Sequence, residues 1–248
     1  MLVGCGGSAP GSGLASGSGA SPSPPPAPSI GTGPFVQQVP AGVADLPLTD
    51  DAGRATSLSA YQGKVVILTD FLTLCQDVCP ITSANYAQMA VAVRAAGLAD
   101  RVQFVELTVD PERDTPARLH AYRGLFAAAG NWSLLTGSPD TVAKIWKYFG
   151  AWYQKAAEGS PPGTDWLTGK PLTYDVDHED VLVFLDEHGQ ERFAIAGLPS
   201  TGSVLPPTLF AFLDGQGRTH LLNPQPDAWT VQEALSVLSW LVGTEVAW

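Results

Sequence analysis

One continuous apolar run constrains the fold of this 248-residue chain more than any other feature. Residues 64–72 read KVVILTDFL, and this β-branched, apolar pattern is typical of a strand that is buried on both faces. Similar runs follow at residues 102–109 and 132–136, and helical patterns separate them. Alternation of strands and helices indicates parallel pairing. We therefore predict an α/β fold with a central mixed sheet flanked by helices.

The predicted helices begin with recognisable residues. Thr115 is a candidate N-cap followed by Pro116 in the first turn, and Ser138 stands before Pro139 in the same way. Gly97 is a candidate helix end. The predicted helices cover residues 81–96, 116–128, 138–148 and 230–241.

The last third of the chain contains two predicted hairpins and a long insert. The first hairpin joins residues 181–186 to 190–196 across Glu187-His188-Gly189. The second joins 208–213 to 218–222 across the turn Asp214-Gly215-Gln216-Gly217 and is an extra C-terminal strand pair. Residues 150–174 form an irregular insert rich in Gly, Pro and Trp, and loops of this length are uncommon unless they are functional or mobile.

The first 43 residues have the composition of a tether. Gly, Ser and Pro dominate from Ser8 to Pro40, and such a segment cannot offset the entropy lost on ordering. We predict a disordered tether over residues 1–43 and one folded domain over 44–248. Leu2-Val3-Gly4-Cys5 resembles the lipobox of bacterial lipoproteins. We expect lipidated Cys5 to anchor the domain to the bacterial cell membrane, outside the cytoplasm; a cysteine there by chance is the alternative.

The charge of the chain excludes two classes of partner. Its formal net charge is −11, whereas nucleic-acid binding needs a basic surface and anionic lipid attracts basic segments. We expect no nucleic-acid partner, and membrane contact only through the anchor. No stretch reaches the roughly 18 apolar residues of a membrane-spanning helix. Nothing in the sequence indicates an obligate assembly, so we expect a monomer.

Two of the three cysteines, Cys75 and Cys79, follow the first buried strand and enter a helix. A spacing of four places both sulfurs on one side of a helical turn, where they can converge on one ion or close to a disulfide. A helix start lowers the pKa of a thiol, and Pro80 suits the first turn. Simple packing is the other reading of such a pair, but this position at a strand-to-helix junction favours a working pair.

Three blocks of sequence resemble the Sco/SenC family. They are DFLTLCQDVCP at residues 70–80, TVDPERDT at 108–115 and Asp177-His178 before a strand. The resemblance implies a thioredoxin-like fold with copper held by Cys75, Cys79 and His178. It also implies a role in assembling the copper site of cytochrome c oxidase, by delivering copper or reducing thiols. The implied partner is a copper-accepting membrane oxidase subunit or another thiol protein.

The chemistry of these ligands agrees with copper. Thiolates suit Cu(I), and an imidazole makes Cu(II) tolerable, although zinc competes for the same ligand set. Asp177 is a candidate to orient the imidazole of His178, with a plain solvated acid as the alternative. Asp110, at a strand end, is preferred as a loop-organising residue over a modulator of the site. The other three histidines are predicted to be ordinary: His120, His188 and His220.

One segment keeps a second function open. Residues 205–210, LPPTLF, resemble the proline-threonine strand entry of thioredoxins. If that strand lay beside the cysteine strand in place of 181–186, His178 would be displaced. The protein would then be an extracytoplasmic thiol-disulfide oxidoreductase that cycles Cys75 and Cys79 by thiolate attack. We favour a rigid loop at Pro206-Pro207, and with it a copper metallochaperone.

Overall fold

A computed structural model describes residues 1, 25–126, 130–201, 205 and 207–247 of the chain. Cys5 and residues 2–24 of the predicted tether lie outside this part. The strands are β1 Gln37–Gln38, β2 Leu48–Asp50, β3 Ala55–Thr56, β4 Val65–Phe71, β5 Val102–Thr108, β6 Trp132–Gly137, β7 Tyr153–Ala156, β8 Asp175–His178, β9 Val181–Leu185, β10 Gln190–Ala196, β11 Pro199–Ser200 and β12 Trp229–Thr230. The helices are α1 Ala41–Ala44, α2 Cys79–Ala95, α3 Pro116–Arg123, α4 Pro139–Phe149, α5 Pro207–Phe212, α6 Gly215–Leu222 and α7 Val231–Val242, with a 3₁₀ turn at Leu58–Tyr61.

The main sheet is mixed, as predicted. Its strand order is β1-β10-β9-β4-β5-β6-β2-β3. The three central strands β4, β5 and β6 are parallel, and the flanking pairs are antiparallel. Helix α2 packs against β5 and β6, while α7 packs against β4 and α2. None of the described helices is both long and apolar enough to cross a bilayer.

The register of the central strands brings three chain segments to one edge of the sheet. Every residue of β4 and β5 is buried, which explains why apolar residues predominate in both strands. Phe71 at the end of β4 lies opposite Thr108 at the end of β5. Strand β9 runs antiparallel to β4, with Thr69 opposite Leu182, so β9 begins where β4 ends. The loops after β4 and β5 and the segment before β9 therefore meet.

The two predicted helix caps are confirmed, whereas α2 begins at Cys79 instead of residue 81 and the end of α3 also differs from the prediction. Thr115 Oγ1 accepts the Arg118 N–H at 3.3 Å, and Ser138 Oγ accepts the Thr141 N–H at 3.1 Å. Helix α3 ends at Arg123 instead of continuing to residue 128. Residues 127 and 128 of the predicted helix lie outside the described part of the chain.

The predicted positions of the extra C-terminal strands are wrong. Residues 208–213 and 218–222 belong mostly to helices α5 and α6. Asp214 was interpreted as a turn residue, but its Oδ1 accepts the Gly217 N–H at 2.7 Å and so caps α6. The same residue types serve turns and helix caps, which explains the error. An extra C-terminal strand pair does exist, formed by β11 and β12 in parallel.

The sheet also includes the end of the segment predicted as a tether. Strand β1 pairs with β10 through Gln37 and Gln38, and Thr32 forms a bridge with Ala194. Val39 is 4% exposed and belongs to the core. An edge strand offers unpaired backbone groups, so even a polar sequence can be ordered against it.

Candidate metal centre

The two cysteines and His178 converge at the sheet edge described above. Cys75 lies in the loop after β4 and is partly exposed, while Cys79 is the first residue of α2 and is buried. Both are free thiols. One ligand atom from each of the three residues lies within 4.8 Å of the other two, and Cys79 Sγ is 3.6 Å from His178 Nε2. Three ligands at about 2.2 Å from one ion would lie about 3.8 Å apart, so the arrangement fits a metal ion.

Asp70 sets the orientation of the imidazole. Its Oδ2 lies 2.5 Å from His178 Nδ1, and its Oδ1 accepts the Val181 N–H at 2.9 Å. A carboxylate at Nδ1 favours a proton on that nitrogen and leaves the lone pair of Nε2 free for a ligand. Nε2 is the nitrogen that faces Cys79, so the histidine presents its metal-binding atom to the thiols.

The two thiols have opposite tendencies to ionise. The hydrogen bond from Cys79 and the nearby His178 hold the pKa of Cys75 well below its usual range, despite burial. Burial, together with the neighbouring Cys75, raises the pKa of Cys79 well above its usual range. Cys75 therefore loses its proton first and is the stronger soft donor or nucleophile of the pair.

Burial and opposite charge compete at His178. Burial alone lowers the pKa of the imidazole, but hydrogen bonds with Asp70 and Cys75 outweigh it and raise the pKa well above its ordinary value. Asp180 lies nearby, and burial raises the pKa of its carboxyl to about 8. A cation bound among these groups would replace protons, so metal uptake is linked to proton release.

The structure agrees with the plainer alternative for each of the two acidic residues considered near the site. Asp177 is exposed and lies on the opposite side of β8 from Val176 and His178. Asp70 therefore has the orienting role for which Asp177 was a candidate. Asp110 accepts a hydrogen bond from Tyr174 Oη at 2.9 Å and pairs with Arg113. It organises the loop after β5, which is the preferred interpretation.

The 150–174 insert is tied to the body of the domain beside the cysteine loop. Asp165 forms a bidentate pair with Arg118 at 2.7 and 3.0 Å, and this hydrogen bonding lowers the pKa of the carboxyl. The indole N–H of Trp166 donates to the Thr73 carbonyl at 2.7 Å. The Trp166 ring also packs edge-on against Phe212 of α5, with centroids 5.4 Å apart. The insert and the C-terminal helices therefore meet next to Cys75.

The strand arrangement required by the alternative function is not formed. On the side of β4 away from β5, the neighbouring strand is β9, as the copper-site prediction requires. Residues 207–212 form a helix. His178 is therefore not displaced from the cysteines. Sequence reasoning missed Asp70, although a signal was present: it is the one charged residue of the fully buried strand β4.

Comparison with known proteins agrees with this geometry. A family model described as SCO1/SenC matches residues 37–204. The chain belongs to the SCO1/SenC family. This family member is 29% identical over 156 residues to "Protein SCO2 homolog, mitochondrial" of Bos taurus, which covers 62% of this chain and 53% of that protein. It is 28% identical over 141 residues to "SCO1 protein homolog" of Bacillus subtilis, and the match covers 56% of this chain and 70% of that protein.

The chain thus spans about half the length of the bovine relative. Among solved structures it is similar to Arabidopsis thaliana ScoI with copper bound, with a TM-score of 0.51 and 24% identity, covering 68% of this chain and 88% of that one. At this identity the similarity establishes the fold alone, and it confirms the predicted thioredoxin-like fold.

Proposed function

We propose that this protein binds one copper ion through Cys75, Cys79 and His178 and delivers it to the copper site of cytochrome c oxidase. The observation that carries the proposal is the convergence of two free thiols and a carboxylate-oriented imidazole within 4.8 Å. Thiolates select Cu(I), and the imidazole extends the site to Cu(II). A relative from Stutzerimonas stutzeri, 28% identical over 120 residues, is named "Putative copper-binding protein", which supports the choice of metal.

Each ligand has a distinct part in holding this cargo. Cys75, partly exposed and readily ionised, is the donor that an incoming or receiving thiol protein can reach. Cys79 is 1% exposed and holds the ion against the start of α2. His178 closes the site from β8, with its ring held by Asp70. A set of three protein ligands leaves room for a ligand of the partner during transfer.

The proposal is tested by titrating Cu(I) and Cu(II) into the reduced chain. We expect one equivalent to bind tightly, with a sulfur-to-copper charge-transfer band for Cu(II). The double variant Cys75→Ala/Cys79→Ala should lose tight binding of both ions. His178→Ala removes a ligand, so it should lose more than the roughly 10- to 100-fold in Cu(II) affinity that is typical of a residue behind a ligand, and it should shift or weaken the band; exposed His188→Ala serves as the matched control. Copper binding by the double variant at wild-type strength would contradict the proposal.

The same cysteines support a second role, reduction of a disulfide at the oxidase copper site. The lowered pKa of Cys75 favours this role, because a thiolate is the attacking species in thiol-disulfide exchange. Each cycle would give two electrons and two protons to the target disulfide and leave Cys75 and Cys79 joined. The His178→Ala variant separates the two roles, because it should lose tight Cu(II) binding but keep a disulfide reduction that is only slowed by the higher pKa of Cys75.

We also propose that the domain works outside the cytoplasm, on a lipid anchor at Cys5. The LVGC sequence and the Gly/Ser/Pro-rich residues that follow it support this location. In a bacterial host, the full-length precursor should incorporate an alkyne-labelled fatty acid and fractionate with membranes. Cys5→Ser should lose both properties. Labelling of the Cys5→Ser protein, or an unlabelled wild-type protein, would overturn the anchor.

A further inference from the structure

The loop between the two cysteines is held by a segment that lies beyond the matched family region. The family model ends at residue 204, and residues 212–220, which we call the clasp, follow it. The Gln76 carbonyl accepts the Asp214 N–H at 2.9 Å, and Gln76 Nε2 donates to the Phe212 carbonyl at 2.9 Å. His220 Nδ1 lies 2.6 Å from Asp77 Oδ1. Both ends of the clasp therefore form hydrogen bonds with residues that lie between Cys75 and Cys79.

The clasp also touches the backbone of this loop directly. A Cβ atom placed on Gly217 would lie 2.6 Å from the Gln76 carbonyl oxygen and 2.9 Å from Asp77 Cα. These atoms belong to the main chain and cannot move aside as a flexible side chain would. Only glycine allows α6 to approach so closely, and the contact leaves the loop little room to rearrange.

Disulfide formation would bring the two sulfurs closer together. A bonded pair lies about 2.05 Å apart with a defined torsion, whereas the ligand atoms of the open site lie within 4.8 Å of one another. Cys79 is buried at the start of α2 and Cys75 lies in the loop, so Cys75 has more freedom to make the approach. Gln76 and Asp77, the residues that the clasp holds, follow Cys75 directly and would shift with its backbone.

We propose that Asp214, Gly217 and His220 are positioning residues that hold the cysteine loop in the dithiol geometry that accepts a metal and resist its closure to a disulfide. The inference deepens the proposed function, on which its biological role rests. Phe212 connects the clasp to the insert through Trp166, whose indole N–H donates to the Thr73 carbonyl. The loop is thus braced from two sides.

The test measures the dithiol–disulfide equilibrium of the full chain in glutathione buffers. Cys75 and Cys79 lose two protons and two electrons to one glutathione disulfide, which becomes two glutathione thiols. Alkylation of the remaining thiols and mass spectrometry give the equilibrium constant. We expect His220→Ala to favour the disulfide about fivefold, equal to about 20 mV, and Gly217→Ala about tenfold, equal to about 30 mV.

Matched variants separate positioning from a general loss of stability. His220→Asn should restore much of the wild-type equilibrium, because its amide N–H can donate to Asp77 from nearly the same place as Nδ1. Exposed Gln216→Ala on the same helix and His120→Ala, which removes the distant contact with Asp51, should match the wild type. Thermal unfolding of each variant checks that it is folded.

The proposed role of the clasp would be contradicted if the dithiol–disulfide equilibrium were unchanged in both His220→Ala and Gly217→Ala, or if it shifted toward the dithiol. The same result in the His120→Ala control as in His220→Ala would also overturn it. Copper titration of the wild type is a separate measurement. If the wild type fails to bind copper, the proposed function fails, while a fivefold shift in the glutathione equilibrium would still establish the clasp.

Discussion

Asp70→Asn is expected to weaken Cu(II) binding about 10- to 100-fold, whereas Asp177→Asn should leave it unchanged. Asp70 is a neighbour of His178 in space, and Asp177 is its neighbour in the sequence. Asp70 contacts His178 Nδ1 at 2.5 Å from strand β4, while Asp177 is the exposed neighbour in the chain. The pair of variants therefore compares a spatial neighbour with a sequence neighbour.

The expected loss follows from the number of acceptor atoms at Asp70. The carboxylate accepts from the Val181 N–H with one oxygen and contacts His178 Nδ1 with the other. An asparagine offers only one oxygen, and the backbone N–H of Val181 is fixed by the strand. The amide NH₂ would then face Nδ1 and move the histidine proton to Nε2, which is the atom required for metal binding.

Affinity is measured by competition with a chelator of known strength, on reduced protein at one pH. A shift or weakening of the sulfur-to-copper charge-transfer band, as in His178→Ala, shows that the copper coordination has changed, and thermal unfolding shows whether Asp70→Asn remains folded. An equal loss in both variants, or wild-type affinity in Asp70→Asn, would contradict the assignment of Asp70 as the orienting group.

Glu106→Gln is expected to remove a large pH dependence from the stability of the protein. Glu106 lies in β5 and is fully buried, and Ser83 Oγ donates to its Oε1 at 2.8 Å. Burial raises the pKa of Glu106 to about 8, and the hydrogen bond from Ser83 opposes this only in part. The folded protein therefore holds a neutral carboxyl at this position near neutral pH.

The direction of the effect follows from proton binding in the two states. At pH values below about 4.5, Glu106 is protonated in both the folded and the unfolded chain, and its ionisation costs no stability. Between about 4.5 and 8 the unfolded chain releases the proton while the folded protein keeps it. The free energy of unfolding should then fall by about 1.4 kcal/mol per pH unit, or about 5 kcal/mol in all.

Glutamine is neutral at every pH and can accept the same Ser83 hydrogen bond. The free energies of unfolding of the wild type and Glu106→Gln are measured in urea from pH 5 to 9. As pH rises over this range, the free energy of unfolding of the variant should increase by about 4 kcal/mol relative to that of the wild type. Other buried acids titrate in both proteins, so the difference isolates Glu106. Glu187→Gln, in the exposed turn between β9 and β10, is the control. Its free energy of unfolding should change with pH in the same way as that of the wild type. A constant difference between the wild type and Glu106→Gln would show that Glu106 ionises at its ordinary pKa.

Local sequence patterns predicted most of the central layer correctly. The runs that became β4, β5 and β6 are apolar because each strand is covered on both faces, and this requirement is visible without any tertiary information. Thr115 and Ser138 cap their helices through residues only three positions away, so their role also depends on local sequence. The hairpin between β9 and β10 follows from its turn and its alternating strand.

The errors occurred where a local pattern suits more than one structure. Asp214 and the glycines after it are typical of a turn, yet they cap and form helix α6 against the cysteine loop. Asp177 was considered because it precedes His178 in the chain, but neighbouring residues of a strand point to opposite faces. His220 was predicted to be ordinary because nothing near it in the sequence indicates a contact with Asp77.

The chain's sequence alone determined the α/β class, the cysteine pair at the strand end and, through its resemblance to a family, the histidine that joins it. These features depend on apolar periodicity and on short spacings, which are local properties. Only the tertiary structure decided which carboxylate orients His178 and which segment holds the loop between the cysteines. Asp70 and His178 are separated by 108 residues and Asp77 and His220 by 143, so their contacts depend on strand register and helix docking that no local pattern encodes.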